Sequence, residues 1–139
     1  MKTLKAFLLA LFFLPLLFGC SAKFTIPENA SIDANFIGKW EGKHFDEKSG
    51  YLKKWVQTRK GDGTYTIHLK FFDKNDKFLS ESAETGYWWI KSDLFHEISP
   101  SSMKKPESYR FQLMGKDKIK FSSVKAKADY SFIDIRVSK

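Results

Sequence analysis

Nucleophilic and metal-binding side chains are scarce in this sequence, and their spacing favours no catalytic site. His44, His68 and His96 are far apart, and none belongs to a two-histidine motif with metal-ligand spacing. Surface or rim positions are therefore favoured over a metal site assembled across strands. No Gly-x-Ser-x-Gly elbow occurs, and Gly61-Asp62-Gly63 lacks the Gly-Lys-Ser/Thr end of a phosphate-binding loop. We expect no enzyme activity, no cofactor and no metal.

Large aromatic side chains carry more information, because Phe, Trp and Tyr make up 17% of the chain and recur along most of its length. In a closed β-structure their inward members converge on one lumen, which they either fill or line as a pocket for a small apolar ligand. The candidate lining residues are Trp40, Trp55, Tyr65, Ile67, Leu69, Phe71, Trp88, Tyr109, Phe111 and Phe121. The run Tyr87-Trp88-Trp89 is divided between two faces, so at least one ring points outward or lies at a rim.

Composition limits the class of protein. The 139 residues, 42% of them hydrophobic, suffice for one folded domain and argue against disorder. The single cysteine, Cys20, excludes an intrachain disulfide or a cysteine-based zinc site. The formal charge is +8, with lysines grouped at positions 53–54, 104–105 and 116–127. Solvated strand faces and turns explain these lysines; attraction to anionic headgroups or envelope polymers is the alternative, and nucleic acid is not an expected partner.

The elements that would position these side chains are β-strands. From residue 37 onward, apolar and polar residues alternate with period two between clusters of Gly, Asp, Asn and Lys. In the clearest case, Tyr65, Ile67, Leu69 and Phe71 share one face. The candidate strands are residues 37–45, 51–59, 64–72, 78–85, 87–91, 94–98, 108–114, 119–124 and 130–137.

The connections between these strands predict the topology. Residues 59–64, 73–77 and 115–118 are short turns that join only neighbouring antiparallel strands, and residues 99–106 form the one longer loop. Eight or nine strands in one up-and-down sheet leave two exposed edges unless the sheet closes on itself. The sequence therefore predicts an all-β fold, a small antiparallel up-and-down barrel.

The N-terminus has the pattern of an export signal. A positive start is followed by an apolar run, residues 6–18, which is too short to span a bilayer. Leu17-Phe18-Gly19-Cys20 resembles the lipobox of bacterial lipoproteins. That resemblance implies cleavage before Cys20 and acylation of this residue as a membrane anchor. Ser21 after the cysteine, instead of an aspartate, implies an outer-membrane destination in a diderm bacterium.

The boundaries follow from this interpretation: a signal peptide at 1–19, a lipidated cysteine with a flexible tether at 20–30, and a barrel domain at 31–139. Residues 21–29 show no helical or strand period and contain Pro27. Fully extended, they reach about 30 Å, so the domain is expected to stand clear of the membrane.

The start of the barrel resembles the lipocalins, whose first motif is a short helical turn that leads into Gly-x-Trp. Ser31 or Asp33 suits the cap of such a turn, and Gly38-Lys39-Trp40 matches the motif. In that family a basic residue near the end of the last strand packs over the tryptophan and closes the barrel, and Arg136 is the candidate. Alternation places Ile133, Ile135 and Val137 on the face opposite Arg136, so stacking on Trp40 is expected to need a bulge or a rim position.

These features favour a membrane-anchored, non-catalytic lipoprotein whose lipocalin-like barrel binds a small hydrophobic or amphipathic ligand. The alternative is a filled barrel that acts as an interaction, inhibitor or structural module of the cell envelope, with an envelope protein as partner. An enclosed apolar cavity would support the first, and a solid lumen with an outward aromatic patch would support the second. The ligand and the oligomeric state do not follow from the sequence.

Overall fold

The computed structural model describes residues 23–125 and 130–138, so Cys20 and the signal sequence lie outside the described residues. Eight strands, each antiparallel to its neighbours, close into an up-and-down barrel, which confirms the predicted fold class. No helix among residues 23–125 and 130–138 is long and apolar enough to cross a membrane. The strands are β1 Gly38–Asp46, β2 Tyr51–Arg59, β3 Thr64–Phe72, β4 Phe78–Lys91, β5 Leu94–Ile98, β6 Glu107–Leu113, β7 Lys118–Ser123 and β8 Ser131–Arg136.

The two strands expected at 78–85 and 87–91 are a single strand, β4, which runs without a break through Gly86. Gly86 looks like a strand end in the sequence, but its lack of a side chain serves packing. A Cβ there would lie 2.5 Å from Cζ of Tyr65 and even closer to the backbone oxygen of Ile98. The glycine lets the Tyr65 ring and β5 approach the backbone of β4.

The short turns between strands contain the glycine and aspartate features that the sequence predicts. Gly63 has a φ of +78°, and the carboxylate of Asp62 accepts hydrogen bonds from the Thr64 backbone N–H and hydroxyl at 2.9 and 2.6 Å. Ser92 and Asp93 both have positive φ and connect β4 to β5 in two residues. Such tight turns join adjacent antiparallel strands and enforce the up-and-down order.

A short 3-10 helix, Ala34–Phe36, plugs one end of the barrel, which we name the floor. The Asp33 side chain caps it by accepting the Asn35 backbone N–H at 2.8 Å, one of the two predicted caps. Phe36 is fully buried and packs edge-on to Phe111 and stacked on Phe95. The residues buried around this plug are Trp40, Tyr65, Trp88, Phe95, Tyr109, Ile119 and Phe121.

The barrel closes unevenly. β1 pairs with β2 along its whole length, whereas it pairs with β8 only at Trp40–Arg136 and Glu41–Ile135. Beyond these two pairs, toward the open end that we name the mouth, residues 42–46 and 131–134 form no ladder with each other. This junction, the β1–β8 seam, has the shortest ladder of residue pairs in the barrel.

Residues 23–30, which the sequence assigns to the tether, contain no helix or strand but lie against the barrel wall. The Phe24 ring lies 5.2 Å from Tyr87 and 5.5 Å from Trp89, centroid to centroid. Ser31 follows and forms a two-way backbone bridge with Ile90. Trp89 points outward, as expected for one ring of the run 87–89, yet it is only 2% exposed because Phe24 covers it.

Candidate ligand-binding site

The floor is closed by the pair that the sequence singled out. The Arg136 guanidinium carbon lies 4.1 Å from the centroid of the Trp40 ring, and the Trp40 indole N–H donates to the Phe36 carbonyl at 2.9 Å. Arg136 also donates to the carbonyls of Ile37 and Asn35 at 2.7 and 2.9 Å. One side chain therefore joins the last strand, the plug and the Gly-x-Trp segment. A Cβ on Gly38, where φ is +129°, would collide with this guanidinium.

Of the two positions expected for Arg136, a bulge or the rim, the structure has the rim: Arg136 is the last residue of β8, at the floor end of the barrel, and no bulge interrupts its pairing with Trp40. The inner face of β8 carries Asp134 and Arg136, and the isoleucines face outward: Ile133 is 40% and Ile135 is 43% exposed. Hydrophobicity suggests the opposite orientation for this strand. The inward orientation of Asp134 is stabilised by a cationic partner inside the barrel.

That partner is Arg59, which is 3% exposed and forms an ion pair with the fully buried Asp134. The Trp55 indole N–H donates to the other Asp134 oxygen at 2.9 Å. The guanidinium carbon of Arg59 lies 4.9 Å from the Phe95 centroid and 5.3 Å from that of Phe121. Within the described part of the chain, Nε and Nη1 of Arg59 have no hydrogen-bond partner. The nearby aromatic faces attract the cation and account for part of its stabilisation.

A second acidic group lies above this pair. Glu97 accepts a hydrogen bond from the Gln57 side-chain amide at 3.0 Å, and burial raises the pKa of its carboxyl, with Arg59 opposing that effect. Burial likewise raises the pKa of Tyr65 and of Tyr109, with the negative charge of Glu97 as the next cause for both. The centre of the lumen is therefore polar, although aromatic rings surround it.

Sequence reasoning missed Arg59, Asp134, Gln57 and Glu97. The strand alternation contained a usable signal, since Gln57 and Arg59 have the same parity as the predicted inward residue Trp55. The position of Arg59 beside a glycine-rich turn suggested a solvated hairpin residue instead. Which inward acid meets this arginine depends on strand order and register.

The predicted lumen residues come together, but mainly as packing. Trp40, Tyr65, Trp88, Tyr109 and Phe121 are buried against one another and the plug. The half-buried residues Ile67 and Phe111 pack against this cluster, while Leu69 and Phe71 continue the inner face of β3 toward the mouth. The expected lumen pocket is therefore filled on the floor side, and a cavity of about 300 Å³ lies at the mouth, beside Lys53, Tyr109 and Tyr130.

The larger cavity, about 880 Å³, lies at the β1–β8 seam, and we name it the seam cleft. Trp55 is the one predicted ligand residue that lines it, and its ring meets Phe132 edge-on at 5.2 Å. Gly42 lets this ring pack against the backbone of β1, since a Cβ on Gly42 would collide with the Trp55 indole. The remaining apolar lining consists of Val56, Met114, Ile133 and Ile135.

Cationic side chains border the same cleft. Its lining includes the lysines Lys43, Lys54, Lys70, Lys118 and Lys120 and the single carboxylate of Glu41. Lys54 Nζ lies 3.3 Å from Oδ1 of Asp76, and Lys70 Nζ lies 3.9 Å from Oε2 of Glu81. Among the described residues, the other three lysines have no carboxylate within salt-bridge distance. The cleft therefore combines an apolar surface with an excess of positive charge.

The three histidines do not come together. His44 meets Tyr130 near the mouth, His68 lines the seam cleft, and His96 stacks on Trp89 on the outer wall. Within residues 23–125 and 130–138, no group of three or more His, Cys, Asp or Glu side chains has the arrangement of a metal site.

Comparison with known proteins adds no family assignment. No protein-family model matches the chain, and no curated protein has significant sequence similarity to it. Function must therefore be inferred from the site.

Proposed function

We propose that this chain is an exported lipoprotein whose lipocalin-like barrel binds a small amphipathic anion, without chemistry, in the seam cleft. The observation that carries the proposal is the cleft of about 880 Å³, in which an apolar surface is bordered by five lysines and one glutamate. This volume falls in the range of known small-molecule sites. The proposal places the ligand at the seam and not in the lumen, because the lumen is packed with aromatic rings.

The binding energy would come from two sources. Burial of the ligand's apolar part against Val56, Ile133 and Ile135 contributes about 25 cal/mol per Å² of apolar surface removed from water. Lys43, Lys118 and Lys120 would attract a carboxylate or phosphate head group, an attraction that salt weakens. A simple fatty acid or alkyl phosphate has both parts.

The anchor in this proposal is Cys20, supported by the lipobox resemblance of residues 17–20. Two or more acyl chains hold a protein on a bilayer stably, whereas one does so marginally. We expect a Cys20→Ala variant to lose membrane fractionation. Retention of that variant on membranes after a high-salt wash would contradict acylation at this residue.

Binding is tested with dodecanoate and dodecyl phosphate as probes, on the chain from residue 20 onward carrying Cys20→Ser. Titration should change the tryptophan fluorescence, because Trp55 lines the cleft. Reversal of two cleft charges in Lys118→Glu/Lys120→Glu should weaken binding about tenfold, as expected for two modest charge interactions. The matched control reverses Lys104 and Lys105, which lie outside the cleft lining, and should leave affinity unchanged.

A second candidate function has its own support. Phe45 and Phe78, near the mouth on the outer wall, are 47% and 52% exposed, and Leu79 is 46% exposed. Exposed apolar groups of this size are frequent at protein interfaces. If neither probe binds and the charge reversals have no effect, the barrel is better explained as an interaction module of the envelope that uses this patch.

A further inference from the structure

The segment that precedes the barrel is fastened to one wall at several points. We name residues 24–31 the strap. Its first residue, Phe24, packs on Tyr87 and Trp89, which face outward from β4. Its last residue, Ser31, exchanges two backbone hydrogen bonds with Ile90 at 2.9 and 2.8 Å.

Contacts between these ends continue the attachment. The side chain of Ile26 lies so close to Gly63 that a Cβ on that glycine would collide with it. Lys91 donates from Nζ to the Glu28 carbonyl at 3.2 Å. The strap therefore adds an aromatic stack and three hydrogen bonds to β4 and an aliphatic contact to the turn between β2 and β3, in place of the free tether predicted from composition.

This attachment shortens the distance between the anchor and the barrel. Only four residue-to-residue steps separate Cys20 from Phe24, and they span at most about 14 Å when fully extended. A free tether over residues 21–29 would reach about twice as far. If Cys20 carries the lipid, as the proposed function holds, the Phe24 contact lies close to the bilayer.

The strand order places the strap opposite the β8 side of the seam cleft, whereas the β3 side of the cleft, at His68 and Lys70, adjoins β4. In the closed ring, β4 is four strands from β8 in either direction. Phe24 lies on the outer surface of β4, while Ile133 and Ile135 of β8 line the cleft. A bilayer on the β4 wall therefore leaves the β8 side of the cleft facing the aqueous space.

We propose that the strap docks the β4 wall onto the lipid surface that holds the anchor and turns the β8 side of the seam cleft away from it. The partner of the β4 wall is thus a bilayer. This orientation rests on acylation of Cys20, and it means that ligand enters the cleft at its β8 side from the aqueous space and not directly from the anchoring leaflet.

The test uses the full acylated chain in vesicles that contain nitroxide-labelled headgroup lipids. Acylation consumes the only native cysteine, so a single introduced cysteine can carry a fluorophore. Thr85→Cys places it on the outer surface of β4, and Ile133→Cys places it on β8, at an exposed position. We expect the nitroxide to quench the label at 85 and to spare the label at 133.

A strap variant separates orientation from anchoring. Phe24→Ala removes the stack on Tyr87 and Trp89 and should abolish the difference in quenching while the protein stays on the vesicles. The matched control is Thr25→Ala, an exposed neighbour in the same segment, which should preserve the difference. Equal quenching at both labels in the unmodified strap, on protein that stays vesicle-bound, would overturn the orientation and leave the anchor intact. Failure of the chain to bind vesicles would overturn the anchor and the orientation with it.

Discussion

At the scale of single residues, the most consequential pair is the ion pair of Arg59 and Asp134 in the centre of the barrel. Both side chains are almost completely buried, so each would be costly without the other. Trp55 satisfies the second oxygen of Asp134, and aromatic faces surround the guanidinium. The pair determines which face of β8 points inward. Hydrophobicity alone would favour the opposite orientation, with Ile133 and Ile135 inside the barrel.

Removal of the negative charge should therefore be costly. We expect Asp134→Asn, which keeps the size of the side chain, to lower the free energy of unfolding by about 3–5 kcal/mol, because Arg59 remains buried and unpaired. The exposed pair Lys54–Asp76 provides the control, and Asp76→Asn should cost at most about 1 kcal/mol. Denaturant unfolding measures both. A double variant, Arg59→Met/Asp134→Leu, should be more stable than Asp134→Asn, because it leaves no buried charge without a partner. If Asp134→Asn and Asp76→Asn lower the free energy of unfolding equally, the buried pair does not have this role.

Glu97 predicts a pH dependence of stability. Its carboxyl pKa is raised above 4.5 in the folded state, chiefly by burial, so the folded protein binds its proton more tightly than the unfolded chain. Stability from this group is present below the unfolded pKa and is lost as the pH rises through the raised folded value. Glu97→Gln keeps an oxygen acceptor for Gln57 and should increase stability at neutral pH and flatten this decline.

The control for that experiment is Glu81→Gln, an exposed glutamate on β4 that should leave the pH profile of unfolding unchanged. The measurement is the thermal unfolding of the parent chain, Glu97→Gln and Glu81→Gln at a series of pH values from acidic to neutral. The same decline in Glu97→Gln as in the parent chain would show that another group causes it.

The sequence predicts one of the two contacts that arginines make inside the barrel, Trp40–Arg136, and does not predict the other, Arg59–Asp134. Trp40 and Arg136 were predicted as a pair because the Gly38-Lys39-Trp40 motif carries a family expectation about a basic partner. No such motif marks Arg59 and Asp134, which are 75 residues apart in the chain. Alternation indicates which face a residue occupies, but the meeting of these two depends on ring closure, a long-range property.

At the scale of elements, β4 shows where local patterns mislead. Glycine is a common breaker, so Gly86 suggested an end between two short strands. The structure continues the strand because its ladder with β3 runs through Gly86, with the pairs Thr66–Thr85 before it and Thr64–Tyr87 after it. Glycines predicted the turns more reliably than they predicted strand ends. Gly63 and Gly115 have positive φ values, which the turn itself requires and which do not depend on distant parts of the chain.

A substitution of Gly86 tests the packing explanation. Gly86→Ala would force a methyl group against the Tyr65 ring and the Ile98 carbonyl, so we expect a loss of about 1–3 kcal/mol or more in unfolding free energy. Gly61→Ala is the matched control. Its new Cβ would meet only the tip of Ile37 at 3.4 Å, an ordinary contact, and its effect should be small. If both variants are equally stable by denaturant unfolding, Gly86 is not required for close approach.

At the scale of the whole molecule, the barrel has one strong half and one weak closure. The ladders from β1 to β4 are long, with one register shift between β3 and β4 at Phe71–Phe72, whereas β5 to β8 are short and β8 meets β1 at only two residue pairs. The floor side of this closure is fastened by Arg136, and the mouth side is held by side-chain contacts, of Trp55 with Phe132 and of His44 with Tyr130. The cleft, the apolar outer residues of β8 and the unpaired edge of β1 therefore all occur at one place.

Amide hydrogen exchange tests this uneven closure directly. Within residues 42–46 of β1, the amides that point toward β2 are in a continuous ladder and should exchange slowly, while those that point toward β8 have no ladder partner and should exchange fast. The β2–β3 ladder, which extends from Leu52–Phe72 to Arg59–Tyr65, serves as the internal reference for slow exchange. Dodecanoate should slow the seam amides if it occupies the cleft, because its chain would cover this edge. Equal protection on both sides of β1 without ligand would mean that the seam is closed in solution, and the cleft would then have no opening through which Trp55 could meet a ligand.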